Sequence, residues 1–423
     1  MFNKKINFAF ALLSIFSLNT FAQTITSSPY SRFGLGELQQ TNTVVSIAMG
    51  GINNGLRLDN IINSQNPASY NSVNLTTFDF GVSGRFDRIS NANDYMISKH
   101  AAPNYMKMAF PITKKWSASI GLVPFSGTGY ESKIKRNASD SITQIFKGTG
   151  GLNQFYFGHA LQIAKGLSVG VNLSYVFGSI DKIKANEYAD TLSYYNIRQT
   201  NSTYVGSLYS TFGLQYSKTF AGGNTLVLGY SGALQSKLNA TRSLLSERYY
   251  YTSTGYERLV DTVQISPDES GSMVMPAFHS FGLSYSKVNI WLIGLDINQG
   301  KWSQFQEYGQ APNPKLNDTY QLALGGSIIP NYNAVGNYFA TIEYRAGFNF
   351  TQSYLTINEQ KINAIGLSMG FGLPLPKSSS KVNFAVEVGK MGTTANNLVQ
   401  EEYLKFHLGF NFSDKWFVKR QYD

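Results

Sequence analysis

The sequence contains no cysteine, which excludes disulfide bridges and thiolate metal sites. Charge is scarce: Asp, Glu, Lys and Arg make up 14% of 423 residues, against roughly 25% in a soluble domain. Beyond the first 22 residues no apolar stretch reaches the ~18 residues that a spanning helix needs. The four histidines, His100, His159, His279 and His407, are scattered and form no metalloprotease motif. Gly229-Tyr230-Ser231-Gly232 lacks the spacing of a nucleophile elbow. No phosphate-cradling glycine loop stands between a strand and a helix. No catalytic residue, metal ligand or cofactor is therefore expected. The formal charge of +10 comes from dispersed Lys and Arg. Dispersal suits attraction to anionic lipid and offers no clustered basic surface for nucleic acid.

Aromatic residues and glycine are plentiful, at 14% and 39 residues. Together with a mean hydropathy of −0.18, this suits strands that alternate lipid-facing and lumen-facing side chains, whose average hydropathy stays near zero. The first 22 residues read as a secretory signal. Lys4 and Lys5 form its charged start, Ile6 to Leu18 its apolar run, and Thr20-Phe21-Ala22 a cleavage site before Gln23. An exported chain without a spanning helix can cross a bilayer only as a closed barrel, because lipid leaves backbone polar groups unsatisfied in any other strand arrangement.

From Thr76 the pattern is strand after strand. In 167–177, Leu167, Val169, Val171, Leu173, Tyr175 and Phe177 share one face, and Ser168, Gly170, Asn172 and Ser174 the other. In 403–412, Leu404, Phe406, Leu408, Phe410 and Phe412 oppose Tyr403, Lys405, His407, Gly409 and Asn411. About 14 strands are expected, near 76–88, 103–111, 116–123, 151–164, 166–180, 203–220, 224–240, 275–287, 288–299, 316–329, 337–350, 361–373, 380–390 and 401–412. The connections alternate long and short without exception, as in outer-membrane barrels with long external loops and short periplasmic turns. Trp116, Tyr204, Trp302, Tyr320, Tyr338 and Trp416 fall near strand ends, where interfacial girdle residues are expected. The fold class is all-β: a closed antiparallel transmembrane β-barrel of about 14 strands spanning 76–412, with a periplasmic tail at 413–423.

Residues 23–75 alternate little and are too few for a domain with its own core. They form either a disordered tail or a hatch packed in the lumen. Phe33, Leu35, Ile47, Met49, Ile52, Leu56, Leu58, Ile61 and Ile62 favour packing. Asp79, Arg85, Glu343, Arg345 and Glu387 are expected to face the lumen, pairing with one another or touching a ligand. Lys405 and His407 are expected to be solvated there.

The segment Ala48-Met49-Gly50-Gly51, followed by Asn66-Pro67-Ala68 just before the first strand, resembles the FadL/TodX family of outer-membrane transporters. So do Lys301-Trp302-Ser303, the run Tyr320 to Ser327, and Tyr344-Arg345-Ala346-Gly347-Phe348. The resemblance implies a 14-stranded barrel whose hatch carries Ala48, Met49, Gly50, Gly51, Asn66, Pro67 and Ala68, and uptake of long-chain fatty acids or other hydrophobic compounds. Three features depart from the family pattern: Ser69-Tyr70 in place of Gly-Leu, the upstream segment Ser28 to Gly34, and the tail Ser413 to Arg420. The tail resembles members from Bacteroidetes, in which such barrels also serve as subunits of larger machines. Two functions stay open. One is a channel with an apolar ligand pocket and a gap in its wall. The other is a sealed, non-transporting subunit of a secretion or assembly complex, which docks other outer-membrane proteins through its long loops.

Overall fold

The computed structural model describes residues 26–135, 141–189, 194–308, 316–376 and 378–416; the expected signal at 1–22 and residues 417–423 of the tail lie outside them. The chain closes a 14-strand antiparallel β-barrel. The strands are β1 (Thr76–Ser90), β2 (Tyr95–Thr113), β3 (Trp116–Gly127, continued by Tyr130–Ile134), β4 (Ile142–Ala164), β5 (Leu167–Tyr188) and β6 (Asn196–Thr219). Then follow β7 (Asn224–Ala233, continued by Ser236–Tyr251), β8 (Glu257–Met275, continued by Phe278–Lys287), β9 (Trp291–Gly300) and β10 (Thr319–Ile328). The last are β11 (Glu343–Ile357), β12 (Gln360–Pro374), β13 (Lys381–Gly392) and β14 (Gln400–Asp414). Closure is complete because β14 pairs with β1 from Gln400↔Ser90 to Asp414↔Thr76. Among the described residues no helix is long and apolar enough to cross a membrane.

Alternation decides which side chains turn inward. On β5, Asn172, Ser174 and Val176 are buried while Val171, Leu173 and Tyr175 are exposed, the pattern of an apolar exterior and a small, polar interior. Several expected loops are instead paired strand. β4, β5 and β6 run 23, 22 and 24 residues, against the ~9–11 that a tilted spanning strand needs. Residues 241–274, expected as a loop, form the β7–β8 hairpin and pair in register from Ser236↔Met275 to Tyr251↔Glu257. The surplus lies entirely at the long-hairpin end, so β3 to β8 rise on one side as a wing, while β9 and β10 stop after 10 residues each. At the other end, the expected strand start at 337 is displaced. A 3-10 turn, Tyr338–Thr341, capped by Asn337, precedes β11, so Ala340 and Ile342 belong to the turn.

Residues 26–75 pack against side chains and glycines of strands all round the barrel. Their Thr26 to Leu38 part contacts the long-hairpin end, where Tyr30 and Leu35 join a buried cluster with Leu152, Val176, Leu238, Met273 and Trp302. Farther down, the backbone presses on inward-facing glycines of the wall. A Cβ at Gly170 would collide with Pro67 and Ala68, at Gly213 with Asn66, at Gly229 with the Asn54 carbonyl, at Gly325 with Met49 and at Gly347 with Gly50. Polar groups complete the fit. Asp296 Oδ2 accepts from the backbone N–H groups of Asn53 and Asn54 at 2.6 and 2.7 Å. Gln215 Nε2 donates to the Asn54 and Leu56 carbonyls at 2.8 and 3.0 Å. Satisfying these buried groups is what permits a nearly irregular backbone in an enclosed interior.

Candidate functional site

Above this packed layer, towards the long hairpins, lies a cavity of about 540 Å³. One side of it is aromatic. Trp302 follows β9 in a 3-10 turn, Trp302–Gln304, and stacks on Tyr354 of β11 with ring centroids 4.7 Å apart. Tyr354 is fixed in turn by donating its hydroxyl to the Gly36 carbonyl at 2.9 Å. Phe125 and Tyr209 meet edge to face at 5.8 Å, and Phe278 and Met275 complete this wall.

The opposite side is charged. Arg85 of β1 points inward and holds three carboxylates: Asp87 at 2.6 Å, Glu37 at 3.0 Å and Glu401 at 3.4 Å. Ser28 Oγ donates to Glu401 at 2.5 Å. Burial would push the Glu37 carboxyl up, but Arg85 first and Lys405 second outweigh it and hold it below the usual carboxylate range. Beside this group, Glu387 of β13 pairs with Lys405 of β14 at 3.6 Å and accepts from the Tyr403 hydroxyl at 3.0 Å. The Lys405 ammonium lies 4.3 Å over the Tyr403 ring.

The cavity reaches a discontinuity in the wall. β2 and β3 pair only from Thr113↔Trp116 to Met106↔Leu122. Above that, β3 takes a different partner: Gly127 pairs with Glu37 and Ser126 with Leu38, and the Gln39 N–H donates to Phe125 O at 3.0 Å. A short strand of the inner segment, Glu37–Leu38, thus occupies an edge that a complete barrel would give to β2. His100, Ala102 and Asn104 of β2 and Val123 and Phe125 of β3 line the cavity on the two sides of this seam.

The family model BamG matches residues 1–423. The chain belongs to the BamG family. No curated protein sequence matches. Among solved structures, this BamG-family chain is similar to the Pseudomonas putida toluene transporter TodX, at 14% identity over 88% of this chain and 98% of that one, with a TM-score of 0.59. It is also similar to the Ralstonia pickettii toluene transporter TbuX, at 15% identity over 88% and 98%, TM-score 0.56. A Pseudomonas aeruginosa FadL homologue matches at 12% identity over 89% and 99%, TM-score 0.56. At such identities the likeness is one of fold. The resemblance to the FadL/TodX barrels therefore holds for architecture, while the family itself carries a different name.

The residues singled out in the sequence of this BamG-family member divide into two groups. Arg85 and Glu387 line the cavity. Asp79, Glu343 and Arg345 do not. Asp79 stands opposite Lys107 across β1 and β2, both buried, and Lys107 Nζ donates to the Thr41 carbonyl at 2.8 Å. Arg345 grips Glu343 with two bonds of 2.7 and 3.1 Å, Lys381 adds a third of 3.0 Å, and Asn383 accepts from Arg345 at 2.9 Å. Ala48 and Met49 are fully buried, and the Gly50 N–H donates to Ser368 Oγ at 2.9 Å. Gly50 and Gly51 adopt φ of +71° and +89°, which side chains disfavour. Asn66 caps the 3-10 turn Pro67–Ser72: its Oδ1 accepts from the Ala68 N–H at 3.2 Å, and its Nδ2 donates to the Asn54 carbonyl at 3.1 Å.

Two expectations are corrected. Trp302 is a buried cavity residue and not a girdle residue. His407 is 6% exposed, boxed in by Glu387 and by Asn104, which donates to its Nδ1 at 3.3 Å, and so is not solvated. Sequence reasoning passed over Glu37, Asp87 and Glu401. Asp87 was visible two positions from Arg85, on the same strand face. The other two reach Arg85 only through packing of the inner segment and through barrel closure. Among the described residues, no group of three or more His, Asp or Glu is placed to hold a metal ion.

Proposed function

We propose that the chain is an outer-membrane channel for uptake of hydrophobic compounds, in which residues 26–75 act as a hatch and the β2–β3 seam as the exit. The long-hairpin end then faces outward. The observation that supports this reading is the meeting of an aromatic-walled cavity with a seam that has lost its strand ladder. Below the cavity, the backbone around Met49–Gly50, Asn54 and Asn66–Ala68 meets wall glycines directly, whereas the seam is bridged by two residue pairs and the Gln39–Phe125 hydrogen bond. A hydrophobic molecule entering from outside would leave sideways into the bilayer by displacing Glu37–Leu38. The function is non-catalytic.

The test is entry of a lipophilic fluorescent probe, N-phenylnaphthylamine, into cells carrying the protein or lacking it. Faster entry with the protein is expected; equal entry rejects the channel.

A second reading is supported by the wing. Its upper β6 to β8 region exposes Tyr194, Tyr256, Leu259, Val263 and Ile265, and exposed aromatics and aliphatics of this kind suit protein docking. In that reading the barrel is a plugged subunit of an outer-membrane assembly. Stoichiometric proteins co-purifying in mild detergent, lost on trimming the β7–β8 hairpin, would favour it.

A further inference from the structure

We propose that the cavity selects amphiphiles without a negative charge and rejects fatty-acid anions. The inference rests on the uptake reading and concerns the headgroup of what is taken up. A carboxylate that leaves water gains most from a cation with free bonding capacity. Two permanent cations line the cavity among the described residues, Arg85 and Lys405, and both are already engaged. Arg85 has its Nε on Asp87, Nη1 on Glu37 and Nη2 on Glu401. Lys405 lies between Glu387 and the face of Tyr403.

Glu37, Asp87 and Glu387 by themselves outnumber the two permanent cations, and Glu401 adds to them when ionised, so the surplus is negative. The two cavity histidines do not reverse it. His100 Nε2 is held by Ser27 and Ser98 at 2.7 and 2.9 Å, and His407 lies against Glu387. The remaining polar lining is neutral, drawn from side chains such as Gln154, Asn298, Gln321, Asn349 and Thr351. Neutral amides and hydroxyls bond an alcohol or an amine fully, but without a free cation they offset only part of what a carboxylate loses on leaving water. The Trp302–Tyr354 stack offers the body of the molecule a flat apolar face.

The experiment uses the full-length barrel in nanodiscs, with Trp116, Trp291 and Trp416 replaced by Phe so that Trp302 reports alone. Terminally brominated dodecanol, dodecylamine and dodecanoate are titrated as quenchers. The alcohol and the amine are expected to quench at least about tenfold more tightly than the carboxylate. Dodecanoate binding as tightly as dodecanol overturns the headgroup selection while leaving the uptake reading standing. Quenching by none of the three removes both. As a second arm, Glu387→Gln frees Lys405 and is expected to tighten dodecanoate by about tenfold with dodecanol unchanged; unchanged dodecanoate affinity in that variant counts against the inference.

Discussion

Leu38 of the inner segment is the strand partner of Ser126 on β3, at a height where β2 has already parted from β3. The contact is small, two residue pairs long, yet it closes the seam that adjoins the cavity. Because the chain has no cysteine, the contact can be locked selectively. Cross-strand partners have Cα atoms about 4.5–5.5 Å apart, within reach of a disulfide. Oxidised Leu38→Cys/Ser126→Cys protein is expected to lose probe entry and to regain it on reduction. Entry that ignores oxidation would leave the seam without a part in transport.

Gly325 and Gly347 face each other on β10 and β11, and both meet the Met49–Gly50 backbone. Neither a Cβ nor its methyls fit there. Gly347→Val is expected to destabilise the barrel by about 1–3 kcal/mol through overpacking and to expose residues 26–75 to protease. Gly222→Val, where an added Cβ meets only the Asn224 side chain at 3.9 Å and φ is ordinary, is the control for substitution itself.

Asp296 carries the turn Asn53–Asn54 on a single carboxylate oxygen. Asp296→Ala leaves two buried N–H groups without an acceptor. Loss of about 2–3 kcal/mol is expected, read as a lower denaturant midpoint and as faster amide exchange at Asn53 and Asn54. Exchange unchanged at those two amides would show that Asp296 does not hold the turn.

Glu37 gives the seam strand a pH dependence. Its carboxyl sits below the ordinary glutamate range in the folded protein, because Arg85 and Lys405 outweigh burial. The stabilisation is therefore present above the unfolded value and fades as pH falls through the lower folded one. Glu37→Gln is expected to raise proteolysis of the inner segment at pH 7, and the gap between variant and parent to close in strong acid. A gap that persists or grows there contradicts the assignment of the ion pair.

The barrel was legible because its physics is local. Alternation in 167–177 and 403–412 reports which side chains meet lipid, and the long-short rhythm of connections fixes direction and an even count. Strand ends were not legible in the wing. Glu257–Met275 carries polar residues on both faces, so period-two contrast vanishes although pairing continues. Asn66-Pro67 could be read as a turn, since Pro fixes its own φ and extends its neighbour. Trp302 was wrongly assigned to the girdle, because a Trp beside a strand end suits an interface belt and an inner wall equally. The Arg85 cluster was hidden for a topological reason: Glu401 lies 316 positions away and meets Arg85 only when the last strand joins the first.

The close fit of residues 26–75 to inward glycines also favours an order of assembly. In a barrel that joined β14 to β1 while empty, the Asn53–Asn54 turn would have to be threaded onto Asp296 and Pro67 against Gly170 afterwards. Placing the N-terminal segment before β14 meets β1 avoids that threading, with successive hairpins laid down around a segment already in position.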